Sequence, residues 1–187
     1  RRTMFQWLAY AVGSACAAII AVPAVRYLID PLRRRASGEH GFKRITRLDA
    51  LAIRVPRQFA VRDSREDAWT LHAEETIGRV WLVRQSDSDT PPDQTRVDVL
   101  ATVCPHLGCA IQLDRAGKKF VCPCHKAGFQ LGGQRLAEKE LGHKNPAPRD
   151  MDSLQSRIVQ DEHTSHWWVE VRFQKFKRGL TTKVPLA

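Results

Sequence analysis

Cysteine is scarce in this chain of 187 residues. Five cysteines are too few to staple a small disulfide-rich fold. Repeats of solenoid period and low-complexity tracts are also lacking, which excludes repeat arrays and biased tails. There is no basic face with interleaved aromatics, the footprint that a nucleic-acid partner requires. The formal net charge is +10, but residues 1–35 hold six Arg against one Asp and so carry half of it. The remaining excess is spread over a mixed-charge, solvated surface, and no nucleic-acid partner is expected. Paired groups for bond-making catalysis are missing as well. A hydrophobic fraction of 43% is ordinary for a globular chain and excludes wholesale disorder.

Charge is wholly absent from one stretch. Met4 to Val25 is a run of 22 uncharged residues, and a helix of that length spans roughly 33 Å, enough for a bilayer core. Trp7 and Tyr10 near one end and Tyr27 at the other fit interfacial anchors. Pro23 is expected to kink the helix, and Asp30-Pro31 to stop it. Arg1-Arg2 reads as the end of a twin-arginine export signal retained as an anchor, with further residues upstream. Arg33, Arg34 and Arg35 would place the following domain in the cytoplasm by the positive-inside rule. Residues 1–29 are thus a transmembrane anchor in contact with the lipid bilayer. Residues 30–44, polar with Gly and Ser, are a tether, and 45–187 form the domain.

Beyond residue 45 the apolar period is mostly two. GRVWLVRQ (78–85) is a strand apolar on much of both faces. Trp167, Val169, Val171 and Phe173 alternate with polar neighbours in an amphipathic strand. ITRLDAL, RQFAVR, RVDVLATV and KKFVC also read as strands, residues 86–95 as a loop, and Gly132-Gly133 as a tight turn. One soluble helix is expected around Arg62–Trp69. The domain is mostly β, a sandwich or small barrel.

The strongest signal is a pair of short boxes, Cys104-Pro-His106-Leu-Gly-Cys109 and Cys122-Pro-Cys124-His125. Four thiols and two imidazoles exceed the four ligands of a structural zinc, and the spacing differs from that of zinc fingers. An economical reading takes one Cys and one His from each box as ligands and leaves one Cys of each box free to pair. Mixed Cys and His ligation of two irons is the Rieske [2Fe–2S] arrangement.

The two boxes resemble those of the Rieske subunits of quinol-oxidising cytochrome bc complexes of bacterial type. The resemblance implies an antiparallel β base carrying a small cluster-binding subdomain, about 102–152, behind one N-terminal transmembrane helix. It implies that Cys104 and Cys122 bind one iron, that His106 and His125 bind the other, and that Cys109 and Cys124 form a disulfide. Asn145-Pro-Ala-Pro-Arg149 is similar to the family's proline segment, so Pro146, Ala147 and Pro148, with Leu107, would shield the cluster. The family has Gly where Asn145 stands.

The same resemblance implies a one-electron carrier in a respiratory quinol:cytochrome c oxidoreductase, with a cytochrome b subunit and a c-type cytochrome as partners. His125 matches the histidine that hydrogen-bonds quinol and accepts its proton. A disulfide and a folded cofactor domain argue for the periplasmic side of a bacterial inner membrane with the N-terminus cytoplasmic, against the charge rule. Two positions depart from the family. Ala127 and Phe129 replace a Ser and a Tyr whose hydroxyls bond the cluster, which implies a low potential and a menaquinol partner. Lys126 replaces a Gly beside His125 and is expected to tune the potential or help docking. The alternative reading is the Rieske small subunit of a periplasmic molybdenum oxidase such as arsenite oxidase. Cys16 and the histidines at 40, 72, 143, 163 and 166 lack ligand-spaced partners, and the tail GLTTKVPLA carries no signal.

Overall fold

The computed structural model describes residues 1–33, 41–67 and 70–186. The chain divides into two compact units, Arg1–Ser37 and Gly38–Ala187. The first contains helix α1, Arg2–Arg33. Its segment Arg2–Ile29 is long and apolar enough to cross a membrane. The helix runs through Pro23 and also through Asp30-Pro31, where the sequence suggested a stop. Each proline removes one N–H and frees the carbonyl four residues before it, and the bonds on either side carry the helix past. Residues 34–40, the middle of the expected tether, lie outside the described residues. Ordered strand begins at Phe42, three residues ahead of the expected domain start.

The second unit is built from three antiparallel sheets of three strands. One has the order β1–β9–β8, formed by β1 (Phe42–Arg47), β9 (Trp167–Arg172) and β8 (Gln155–Gln160). The next is β2–β3–β4, formed by β2 (Arg57–Asp67), β3 (Thr70–Arg84) and β4 (Val97–Ala101). The small third sheet is β5–β6–β7, formed by β5 (Gln112–Leu113), β6 (Phe120–Val121) and β7 (Gly128–Phe129).

The helix expected around Arg62–Trp69 is absent over its described part. Arg62–Asp67 is the outer half of β2, paired with β3 at Arg62↔Thr76 and Asp67↔Thr70. The polar run is locally compatible with a helix, but the long hairpin satisfies its backbone instead. Residues 68 and 69 lie outside the described residues. In ITRLDAL the strand ends at Arg47, and Leu48–Ala50 is a single 3-10 turn. Among the described residues, the α-helix of this unit is α2, Glu138–Leu141.

Strand β3 organises the domain because its Val80–Val83 stretch is buried on both faces. Val80 and Leu82 enter a core with Val61, Val97, Val99, Val169 and Val171. Trp81 and Val83 point the other way, into a core with Ile111, Phe120, Phe129 and Met151. Alternation at period two thus divides one strand between the base and the smaller sheet. Trp81 stacks on Phe120 with ring centroids 5.1 Å apart, and its indole N–H donates to the Ile111 carbonyl at 3.2 Å. The second core contains Cys104 and Cys122, so the two boxes are fixed to packed β-structure rather than to free loops.

Candidate metal centre

The first box follows β4. Val103 and Ala110 form a bridge across its base. Within the loop, the Cys104 N–H donates to the Cys109 carbonyl and the Gly108 N–H to the Cys104 carbonyl, both at 2.9 Å. Gly108 has φ +89°, and a Cβ there would lie 2.6 Å from the Arg178 side chain. The positive φ favours glycine, and a side chain there would also have to displace Arg178. The second box caps the β6–β7 hairpin, where the Cys122 N–H donates to the Ala127 carbonyl at 2.8 Å. Lys126 makes the turn with φ +58°. A lysine in this left-handed region is strained where glycine would not be.

A disulfide joins Cys109 to Cys124 and closes the two loops on each other, with Cα atoms 6.5 Å apart. Cys104 and Cys122 remain as free, buried thiols beneath it. The sulfurs of Cys109, Cys122 and Cys124 lie within 4.8 Å of one another. Two of these are committed to the disulfide, which leaves Cys122 as a donor. Burial pushes the Cys104 thiol up to about 12, against backbone N–H donors from His106 and Leu107 that favour the thiolate. The neighbouring Cys122 raises it further. A thiolate in this position needs a cation to share the site, and metal binding displaces its proton.

The rings of His106 and His125 come from opposite loops and meet edge to face, with centroids 4.9 Å apart. His106 is half-buried and His125 exposed. The donors are therefore segregated, two thiols inside and two imidazoles toward solvent. That donor set fits a two-iron cluster with unlike irons, and two thiols with two imidazoles are also the donor number of a single tetrahedral zinc.

Ala147 of the proline segment packs in the same core as Cys104 and Cys122. Ala147 is buried, while Pro146 and Pro148 are half-buried. Leu107 is 59% exposed at the tip of the first box. Ala127 and Phe129 are both fully buried, in the same core as Cys104 and Cys122, and neither side chain has a donor.

Two groups of residues escaped the sequence reading. The Asn145 amide donates to the carbonyls of Gly128 at 2.8 Å and Leu136 at 3.0 Å. Its oxygen accepts the Ala147 N–H at 3.2 Å. Asn145 therefore ties the proline segment to the strand behind the second box, which is why a side chain stands where the family has glycine. Asn145→Ala is expected to cost about 2–3 kcal/mol, since three hydrogen bonds are lost at about 1 kcal/mol each. Denaturant unfolding of the full chain measures this, and a loss under about 0.5 kcal/mol would contradict it. The second group is Arg149 with Asp152. The guanidinium makes a buried, two-pronged ion pair to the carboxylate at 2.9 and 2.8 Å. An Arg and an Asp three apart outside any helix give no signal in sequence.

Residues 58–148 match the family model of the Rieske [2Fe-2S] domain. The chain is similar to the menaquinol:cytochrome c reductase iron-sulfur subunit of Bacillus subtilis, 26% identical over 139 residues, covering 73% of this chain and 76% of that protein. It is 27% identical over 184 residues to the cytochrome b6-f complex iron-sulfur subunit of Cyanothece sp., covering 97% of this chain and 92% of that protein. A solved structure, the cyanobacterial plasma membrane Rieske protein PetC3 from Synechocystis PCC 6803, is 27% identical. It covers 53% of this chain and 83% of that one, with a TM-score of 0.35.

Proposed function

We propose that the chain is a Rieske iron–sulfur subunit of a cytochrome bc-type complex, which takes one electron and one proton from quinol and passes the electron to a c-type haem. It is a single-pass membrane protein, with Arg2–Ile29 as the span. In this reading the domain lies on the periplasmic side, which the disulfide supports, since such bonds persist in an oxidising space.

The residues divide the work. Cys104 and Cys122 would hold one iron of a two-iron cluster, and His106 and His125 the other. When bound, the cluster supplies a one-electron acceptor whose potential is raised because imidazole replaces thiolate on one iron. His125 is exposed, so its ring reaches a quinol hydroxyl. A His125 ring nitrogen not used for binding would accept the quinol proton, while the bound cluster would supply the acceptor for the electron. Leu107 and the proline segment 146–148 exclude water from the inner thiols, and the disulfide keeps the two loops in register. Lys126 places a cation beside His125 at a strained position, which supports a role in tuning or docking.

One observation carries the reading: two buried thiols and two outward imidazoles from two loops joined by a disulfide. Menaquinol is the favoured substrate because Ala127 and Phe129 offer no hydroxyl donors, and a relative bears that quinol in its name. The test is to purify the assembly from membranes and assay cytochrome c reduction by menaquinol and ubiquinol analogues. The expected result is b-type haem in the assembly and faster turnover with menaquinol. Molybdopterin without b-type haem would instead assign the chain to a molybdenum oxidase.

A further inference from the structure

We propose that the C-terminal segment 175–186 is a strap that holds the first box in place, with Arg149 as its latch. The proposal rests on the reading of that box as a cluster loop. The segment folds back on itself, with the Lys177 N–H donating to the Val184 carbonyl and the Leu186 N–H to the Lys175 carbonyl, both at 2.8 Å. Phe176 and Pro185 bridge across it. At its turn, Gly179 adopts φ +73° and donates its N–H to the Pro105 carbonyl at 2.8 Å. Pro105 lies between Cys104 and His106. Beside it, the Arg178 side chain lies against Gly108. The strap thus touches the box on both sides of His106 and Leu107.

Arg149 fixes the strap from below. Its buried guanidinium donates to the Leu180 carbonyl at 2.6 Å and to the Lys177 carbonyl at 2.8 Å, the two flanking the turn. The remaining donors hold Asp152, which is itself buried. A second fastening comes from Lys183, which donates to the Ser153 carbonyl and to its hydroxyl. Arg149 also ends the proline segment, so one side chain couples two walls of the site through the tail. Packing between the strap and the first box is incomplete on this side. A cavity of about 230 Å³ lies beneath it, lined by residues including Val103, Cys104, Pro105, Phe173, Phe176 and Leu186. The strap's hydrogen bond to Pro105 adds to the packing of Cys104 in the second core.

Arg149 is therefore a positioning residue that acts on the ligands through Gly179 and Pro105. A lysine there keeps the charge opposite Asp152 but lacks the planar fork that reaches two carbonyls and a carboxylate together. Native-state hydrogen exchange on the full-length, cluster-loaded protein tests the proposal. In Arg149→Lys, the amides of Gly179 and of His106, Leu107 and Gly108 are expected to exchange at least tenfold faster together, with those of β9 unchanged. The cluster's EPR line shape is expected to shift in the same variant, which a remote loss of stability would not produce. Acceleration confined to 176–186, with 106–108 and the EPR signal unchanged, would overturn the strap. If Arg149→Lys fails to fold, the wild type gives the answer. Gly179 and Gly108 are expected to share one opening free energy across a denaturant series, and separate openings would overturn the proposal. Absence of a Rieske signal from the wild type would sink the functional reading alone, because the exchange rates are read from the chain.

Discussion

Restoring hydroxyls behind the second box, by Ala127→Ser and Phe129→Tyr, is expected to raise the midpoint potential of the cluster by ~40–90 mV each. Both positions are fully buried in the core that contains Cys104 and Cys122. A hydrogen bond to a charged group there contributes roughly 1.5–3 kcal/mol. If about 1–2 kcal/mol of this differs between oxidised and reduced states, a one-electron couple moves by the stated amount. The sign is upward because added donors favour the more negative, reduced form. Both residues act on one site, so the double variant is expected to fall short of the sum. Phe129→Tyr adds an oxygen to a closed core, and a thermal melt of each variant separates packing cost from tuning. The backbone N–H groups of His106 and Leu107 already face the Cys104 sulfur. An unchanged midpoint in a folded variant would mean that these donors saturate the sulfur, and it would remove the argument for menaquinol.

Removing the disulfide is expected to have the largest effect on stability. Cys109 and Cys124 close a loop with a sequence separation of 15, for which chain entropy gives about 3 kcal/mol. The double variant Cys109→Ser, Cys124→Ser removes the bond without leaving a lone reactive thiol. Its smaller sheet is expected to unfold before the base, and its cluster to be lost to a chelator several-fold faster than in the wild type. Cys124 is exposed, so a thiol reductant should reproduce the effect on the unmodified protein. Equal cluster lifetimes in the variant and the wild type would show that packing of Phe120, Phe129 and Ile111 suffices to hold the loops together.

The parts of the fold that were readable in sequence were those whose residues carry an unambiguous chemical demand. Trp81 and Val83 alternate with Val80 and Leu82, and that pattern required a strand buried on both faces, as β3 is. The boxes were legible because thiols and imidazoles at ligand spacing have few other uses, and the disulfide between Cys109 and Cys124 follows the family resemblance. Elements held by pairing rather than by pattern were not legible. Strand β8 is mostly exposed, with its apolar side chains only half-buried, so QSRIVQ shows little alternation. Arg62–Asp67 is polar and became strand only because β3 extends alongside it. Asp30-Pro31 looked like a stop and was absorbed into α1.

The same distinction holds within the site. The thiol and imidazole donors were visible as residue types, but the groups that hold them were not. Asn145 acts through its amide on carbonyls 17 and 9 residues away in sequence. Arg149 acts on the carbonyls of a tail 31 and 28 residues further on. Backbone carbonyls carry no sequence signature, so a side chain that binds them is found only once the chain is folded.

The central claim is that Cys104, His106, Cys122 and His125 hold a two-iron cluster that accepts one electron. The most direct measurement is pulsed EPR of the dithionite-reduced, full-length protein, with iron and zinc quantified in the same sample. The account expects two irons per chain, a Rieske-type signal, and nitrogen couplings from two imidazoles that are lost in His106→Ala and His125→Ala. One zinc per chain with no signal, or a cluster signal without nitrogen coupling, would contradict it.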